Sequence, residues 1–142
     1  MNAYLSNVNP ETRRLFDQIL DVVRDNTDIL LVILFGSASV GRMRSDSDVD
    51  IAIAGRSIFS WDQLQELRLQ FNLKLHKEID LIDLLHTRGL IFYQAMTKGA
   101  VVMSRDTYLF GRLMTETVYF AEDMLPSIKK LYERNVWRFI LG

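Results

Sequence analysis

Three aspartates at alternating positions, Asp46, Asp48 and Asp50, open an otherwise apolar run in the stretch SDSDVDIAIAG, residues 45–55. Carboxylates gathered on one face of a buried strand repel one another, and burying them unpaired costs on the order of several kcal/mol each. Either the run stays in water as a turn, or something cationic sits among the oxygens. Side chains alternate along a strand, so Asp48 and Asp50 share one face while Val49, Ile51 and Ile53 share the other. Two carboxylates about 7 Å apart on one face can straddle a pair of divalent ions about 4 Å apart. Asp46 precedes the apolar run and reads as a turn residue.

Two familiar ion and phosphate motifs fail on this stretch. The calcium loop that begins D-x-D-x-D needs glycine at its sixth position and an acid at its twelfth, where this chain has Ile51 and Ser57. GSASVGRM carries two glycines, Gly36 and Gly41, but Arg42-Met43 stands where a phosphate-cradling P-loop requires lysine and a hydroxyl residue. What remains is an apolar run ending in Gly36-Ser37, a polar spacer, and a second apolar run headed by Asp48 and Asp50. Gly36 lets a phosphate approach the backbone with no Cβ in the way. Ser37 supplies a hydroxyl, and the amides opening the following turn point at an anion. Arg42 and Arg44 lie in the spacer, where they can neutralise phosphate charge or stay solvated. A third carboxylate would complete the site. The run EIDLIDL offers Asp80 on one face and Asp83 on the other, and periodicity alone leaves both open.

The elements that position these residues are legible from pattern. NPETRRLFDQILDVVRDN predicts a helix, capped by Asn9 with Pro10 in the first turn and Leu15, Ile19, Val22 and Val23 on one face. DILLVILF is short, continuous and rich in β-branched residues, so it reads as a strand buried on both faces. ASVGRM reads as a short helical turn closing at Gly41, and DVDIAIA as a second strand ending at Gly55. Ser60 is the expected cap of a helix whose Leu64, Leu67, Phe71 and Leu75 recur at helical spacing. EIDLIDLL predicts a third strand, TRGLIFYQAMTKG a helix, and AVVMS a short fourth strand. From about Arg105 the pattern is helical and amphipathic through Leu113, Val118, Met124, Ile128, Leu131 and Trp137, with Pro126 expected to kink or split it. The apolar end LYERNVWRFILG either completes the core or docks a partner.

Composition narrows the chemistry. With 142 residues, one domain and one core are expected. The formal net charge of −1 lacks the basic surplus of a nucleic-acid binder, so no direct nucleic-acid substrate is expected. The absence of cysteine removes disulfides, thiolate nucleophiles and cysteine zinc sites, and His76 and His86 alone make a histidine-rich metal site unlikely on chemical grounds. The first residues, MNAYLSNVNPETRR, turn polar at once, and ILLVILF is too short to span a bilayer, so a cytoplasmic protein away from membranes is expected.

On these residues a family likeness becomes specific. LFGSASVGRMRSDSDVDIAI resembles the nucleotidyltransferase superfamily signature, in which Gly-Ser and a spacer of ten precede Asp-x-Asp between apolar residues. EIDLIDL resembles the strand carrying that superfamily's third aspartate, which by position is Asp80. The short length and LIFYQAMTKGAVVMSRD resemble the minimal nucleotidyltransferases of the DNA polymerase beta-like superfamily, and more narrowly the antitoxin members paired with HEPN-domain RNase toxins. The likeness covers residues 30–105 and extends only loosely to the flanking helices.

The resemblance implies an α/β (α+β) fold: a small mixed sheet like the polymerase beta palm, with flanking helices and a helical C-terminal tail. It implies a catalytic core over residues 1–105 and a helical extension over 106–142 within the same domain. The implied reaction is Mg-dependent transfer of AMP from ATP to a hydroxyl, a tyrosine on the HEPN toxin, which the chain would silence as antitoxin in a hetero-oligomer. Asp48 and Asp50 would hold two Mg²⁺ ions, Asp80 would ligate one and help deprotonate the attacking hydroxyl, and Gly36 and Ser37 would hold the β- and γ-phosphates. A phenol with a pKa of about 10 needs a metal or a base to become a nucleophile at neutral pH. Two other readings remain beside it: a non-catalytic antitoxin that neutralises by binding, and an aminoglycoside-type small-molecule nucleotidyltransferase, against which the short chain counts.

Overall fold

A run as apolar as ILLVILF is stable only when covered on both sides, and it forms the central strand β1 (Ile29–Phe35) of a four-stranded sheet. The computed structural model describes residues 9–36 and 48–141. The sheet order is β3-β2-β1-β4, with β2 (Val49–Gly55), β3 (Ile79–Asp83) and β4 (Ala100–Ser104). β1 runs antiparallel to both β2 and β4, while β2 and β3 are parallel. A parallel pair needs a crossover, which the helix α2 (Trp61–Leu75) provides. The helix α1 (Pro10–Val23) precedes β1, α3 (Leu90–Lys98) joins β3 to β4, and α4 (Thr107–Tyr119) follows β4.

Two apolar layers sandwich the sheet. On one face Val32, Leu34, Val49, Ile51 and Ile53 pack with Leu15, Phe16, Ile19 and Val23 of α1 and with Leu67, Phe71 and Leu75 of α2. On the other, Leu31, Ile33, Phe35, Ala52 and Ala54 pack with Phe92, Ala95 and Met96 of α3 and Leu109 and Leu113 of α4. β1 is therefore buried on both sides, as its continuous apolar pattern requires.

Local chemistry sets the element ends. The Asn9 side chain accepts the Thr12 N–H at 2.8 Å, and Pro10 occupies the first turn of α1. Ser60 and Gln63 form a reciprocal capping box at the start of α2. Asp106 caps α4 through the Leu109 N–H at 3.1 Å. The Arg105 guanidinium donates to the carbonyls of Val23, Arg24, Asn26 and Ile29 at 2.6–3.0 Å, so the end of β4 is fastened to the C-terminus of α1.

The regular α-helix of the C-terminal tail is interrupted directly before Pro126, where the sequence leads one to expect a kink or split. The chain stays helical, but a π-helical turn, Phe120–Met124, separates α4 from α5 (Leu125–Leu141). Pro126 has no N–H for the carbonyl four residues before it. The widened turn, in which the Leu125 N–H reaches the Phe120 carbonyl, absorbs that mismatch directly upstream and divides the two α-helical segments. Leu131 and Tyr132 on α5 are exposed. The predicted turn ASVGRM lies outside the described residues.

Candidate active site

The site is assembled by strand register. Asp50, the second residue of β2, is the Cα partner of Asp80 on β3 and of Phe35 on β1. Residues in register on neighbouring strands present side chains to the same face, so Asp50 and Asp80 stand side by side. Asp48 lies just before β2 and is exposed, as is Asp80, while Asp50 is half-buried. Beyond Asp50 on the same face of β2 come only Ala52 and Ala54, both covered by the second apolar layer. The open end of this face therefore belongs to carboxylates.

Asp50 feels that crowding. Its carboxyl is pushed up from the ordinary 3.8 to about 6, first by burial, then by the negative charge of Asp80, then by a side-chain hydrogen bond with Asp80, and last by the charge of Asp48. Ionising both carboxyls at once is costly here, a cost that a bound cation would relieve.

Gly36 closes the site from the β1 side. Its φ of +73° lies in the left-handed region open to glycine. A Cβ at this position would run into the Asp50 carboxylate, whose Cγ would lie 3.1 Å away. Gly36 is therefore needed for the approach of Asp50 itself, in addition to the phosphate access expected from sequence.

Asp80 and Asp83 differ in position: only Asp80 is paired with Asp50. Asp83 is buried at the far end of β3 on the opposite face, where its carboxylate accepts the Phe59 N–H at 2.8 Å and the Leu85 N–H at 2.9 Å. Both oxygens are engaged in fastening the β2–α2 loop to the end of β3. Pattern reading missed this anchoring role; the only signal was an acidic residue on the buried face of a strand. His76, at the C-cap of α2 with φ +55°, and His86 are both exposed, in keeping with surface roles. Ser37, Gly41, Arg42, Arg44 and Asp46 lie outside the described residues.

Among the described residues no three acidic or histidine side chains close around an ion by themselves. The donors nevertheless suit Mg²⁺. They are hard carboxylate oxygens carrying surplus negative charge, and Mg²⁺ needs only one or two of them, because it keeps waters and substrate phosphates in its shell.

Comparison with known proteins agrees with this geometry. The family model described as polymerase beta, nucleotidyltransferase matches residues 17–108. A curated relative, the protein adenylyltransferase MntA of Shewanella oneidensis, is 33% identical over 88 residues, which are 58% of this chain and 60% of the relative. The matched part thus spans about three fifths of that relative's length. A solved toxin–antitoxin structure with AMP-PNP superposes with a TM-score of 0.74 at 22% identity, covering 85% of this chain and 98% of that one. A second, described as a tri-AMPylated Shewanella oneidensis HEPN toxin in complex with MNT antitoxin, gives 0.70 at 20% identity, covering 88% and 98%. At such identities these structures establish the fold.

Proposed function

This chain belongs to the polymerase beta nucleotidyltransferase family, and from that premise we propose that it is a Mg-dependent protein adenylyltransferase. In this reading it transfers AMP from ATP to a tyrosine hydroxyl of a HEPN RNase toxin and so acts as the toxin's antitoxin. The observation that carries the reading is the in-register placement of Asp50 and Asp80, with Asp48 alongside and Gly36 pressed against Asp50. The relative's name, protein adenylyltransferase, and the AMPylated HEPN toxin in the second solved complex support the substrate and the partner. AMP-PNP in the first complex supports ATP as donor.

Asp48, Asp50 and Asp80 would hold two Mg²⁺ ions. When bound, these would neutralise the triphosphate and acidify the attacking hydroxyl. The chain's own residues do the rest. Gly36 leaves the backbone open to the β- and γ-phosphates, Ser37 and the amides after it hold them, and Arg42 and Arg44 offset their charge. Asp80 accepts the proton of the tyrosine hydroxyl. The phenolic oxygen then forms a bond to the α-phosphorus as the bond between the α-phosphorus and its bridging oxygen breaks. Pyrophosphate leaves, and the tyrosine carries AMP. Residues 1–105 form the catalytic core in this reading, and 106–142 are a helical extension of the same domain. Among the described residues no helix is long and apolar enough to cross a membrane.

The test is incubation of the purified chain with Mg-ATP and a HEPN toxin, followed by intact-mass measurement of the toxin. The expected result is a gain of one or more AMP groups, absent with the Asp48→Asn, Asp50→Asn double variant. A toxin neutralised equally well by that variant, with no gain in mass, would overturn catalysis in favour of simple sequestration.

A further inference from the structure

The geometry points to Lys98 as a triphosphate-binding residue of this site, engaging the β- and γ-phosphates and neutralising pyrophosphate as it leaves. The inference rests on the nucleotidyltransferase reading above and adds a residue that neither the motif nor the acidic cluster contains.

Topology carries the argument. Phe35 on β1 has Asp50 as its partner on one side, and on the other side Leu34 pairs with Ala100 of β4. Gly99 directly precedes that pair in the chain, as the C-cap of α3, and Lys98 is the last residue of α3. Gly99 is pressed closely onto β1: a Cβ there would collide with the Ile33 side chain and would lie 3.3 Å from the Leu34 carbonyl oxygen. The end of α3 is thus pinned to β1. Two strand spacings, about 10 Å, separate β2, which carries Asp50, from β4, and Gly36 follows the end of β1 between them.

The face is also the right one. α3 covers the sheet through Phe92, Ala95 and Met96, packed with Phe35, Ala52 and Ala54. Asp50 is on that same face of β2 by alternation. α3 begins after the far end of β3 and finishes at the start of β4, so its C-terminus arrives at the aspartate end of the sheet. Lys98 is therefore on the face, and at the end, where a triphosphate resting on Gly36 would lie.

Its charge is available. Lys98 is exposed, and among the described residues no carboxylate pairs with it, whereas Arg24, Arg68, Lys74 and Arg88 all have acidic partners. Its place in the last turn of α3 also suits the helix dipole. That accounts for a cation there but leaves the ammonium free to turn toward phosphate on its flexible stem. A site whose described side chains are carboxylates gains most from a cation placed where charge grows as the leaving group departs.

The experiment is calorimetric titration of the full chain, in Mg²⁺ buffer, with ATP and separately with AMP, for wild type, Lys98→Ala and Lys98→Arg. Lys98→Ala is expected to bind ATP roughly tenfold more weakly and AMP unchanged. The ATP difference should narrow at high salt, and Lys98→Arg should retain most of the affinity. Equal melting temperatures would show that the fold is intact. Lys98→Ala matching wild type for ATP, or losing ATP and AMP alike, overturns this inference alone. A wild-type chain that binds no ATP overturns the nucleotidyltransferase reading and this inference with it.

Discussion

Asp50 and Asp80 are register partners across the parallel pair β2–β3, so two acids that would repel in water are held together by the sheet. The sheet is held in turn by two apolar layers, which makes the repulsion a property the fold sustains and a ligand can relieve.

The first consequence concerns pH. Asp50 titrates at about 6 in the folded chain against an ordinary 3.8. The folded state therefore holds its proton more tightly than the unfolded state does. The stabilising contribution is complete below about pH 3.8 and is lost as pH rises through about 6. A shift of that size corresponds to about 3 kcal/mol if undiluted, and solvent access to the half-buried group reduces it to ~1–2 kcal/mol. Asp50→Asn should gain this amount over the metal-free wild type at pH 7.5 and much less at pH 4.5, as measured by urea unfolding. A gain independent of pH would contradict the origin assigned to it.

Divalent metal should act on the same strain. Millimolar Mg²⁺ is expected to raise the melting temperature of the wild-type chain at neutral pH, because an ion that binds only the folded state stabilises it by mass action. Asp48→Asn combined with Asp50→Asn should abolish the response. Equal responses in the two proteins would place the ion elsewhere.

Gly36 and Asp50 should be energetically coupled. Gly36→Ala forces a side chain into a left-handed backbone and against the Asp50 carboxylate, for an expected loss of roughly 1–3 kcal/mol. In an Asp50→Ala background only the backbone part should remain. A double-mutant cycle by chemical denaturation reads the difference, and strict additivity would show that the two residues do not press on each other.

Asp80 and Asp83 should part company under mutation, although both come from one short strand. Asp83→Ala leaves the Phe59 and Leu85 amides without their acceptor, which should lower stability by about 2–4 kcal/mol. At temperatures where the variant is folded, its affinity for ATP should be normal. Asp80→Asn should leave the melting temperature level or higher while AMP transfer collapses. Unfolding curves paired with transfer assays separate the two, and a reversed pattern would exchange their roles.

Much of this was readable in the residues. The continuous apolar run of β1, the alternation of β2 and the caps Asn9 and Ser60 specify elements by local chemistry, and each forms where its pattern demands. The Asp-x-Asp pair was legible because a period of two binds its members to one face. Which of Asp80 and Asp83 stands beside Asp50 was not legible from pattern, because the two lie on opposite faces and only the pairing of β3 with β2 decides which face is which. The second duty of Gly36 was hidden for a similar reason, since a glycine advertises freedom but not which neighbour exploits it. The π-helical turn before Pro126 shows a local rule, proline against helix, satisfied by a change of helix winding directly upstream.

The clasp made by Arg105 has a bearing on biosynthesis. Its guanidinium closes the carbonyl end of α1 across a separation of 76–82 residues. During vectorial synthesis α1 leaves the ribosome early, yet its C-terminal carbonyls must rely on water until the chain has grown past β4. The first helix is thus among the last to be secured. A nascent chain stalled before residue 105 would have made Asp48, Asp50 and Asp80 without the fastening that holds the N-terminal helix to its sheet.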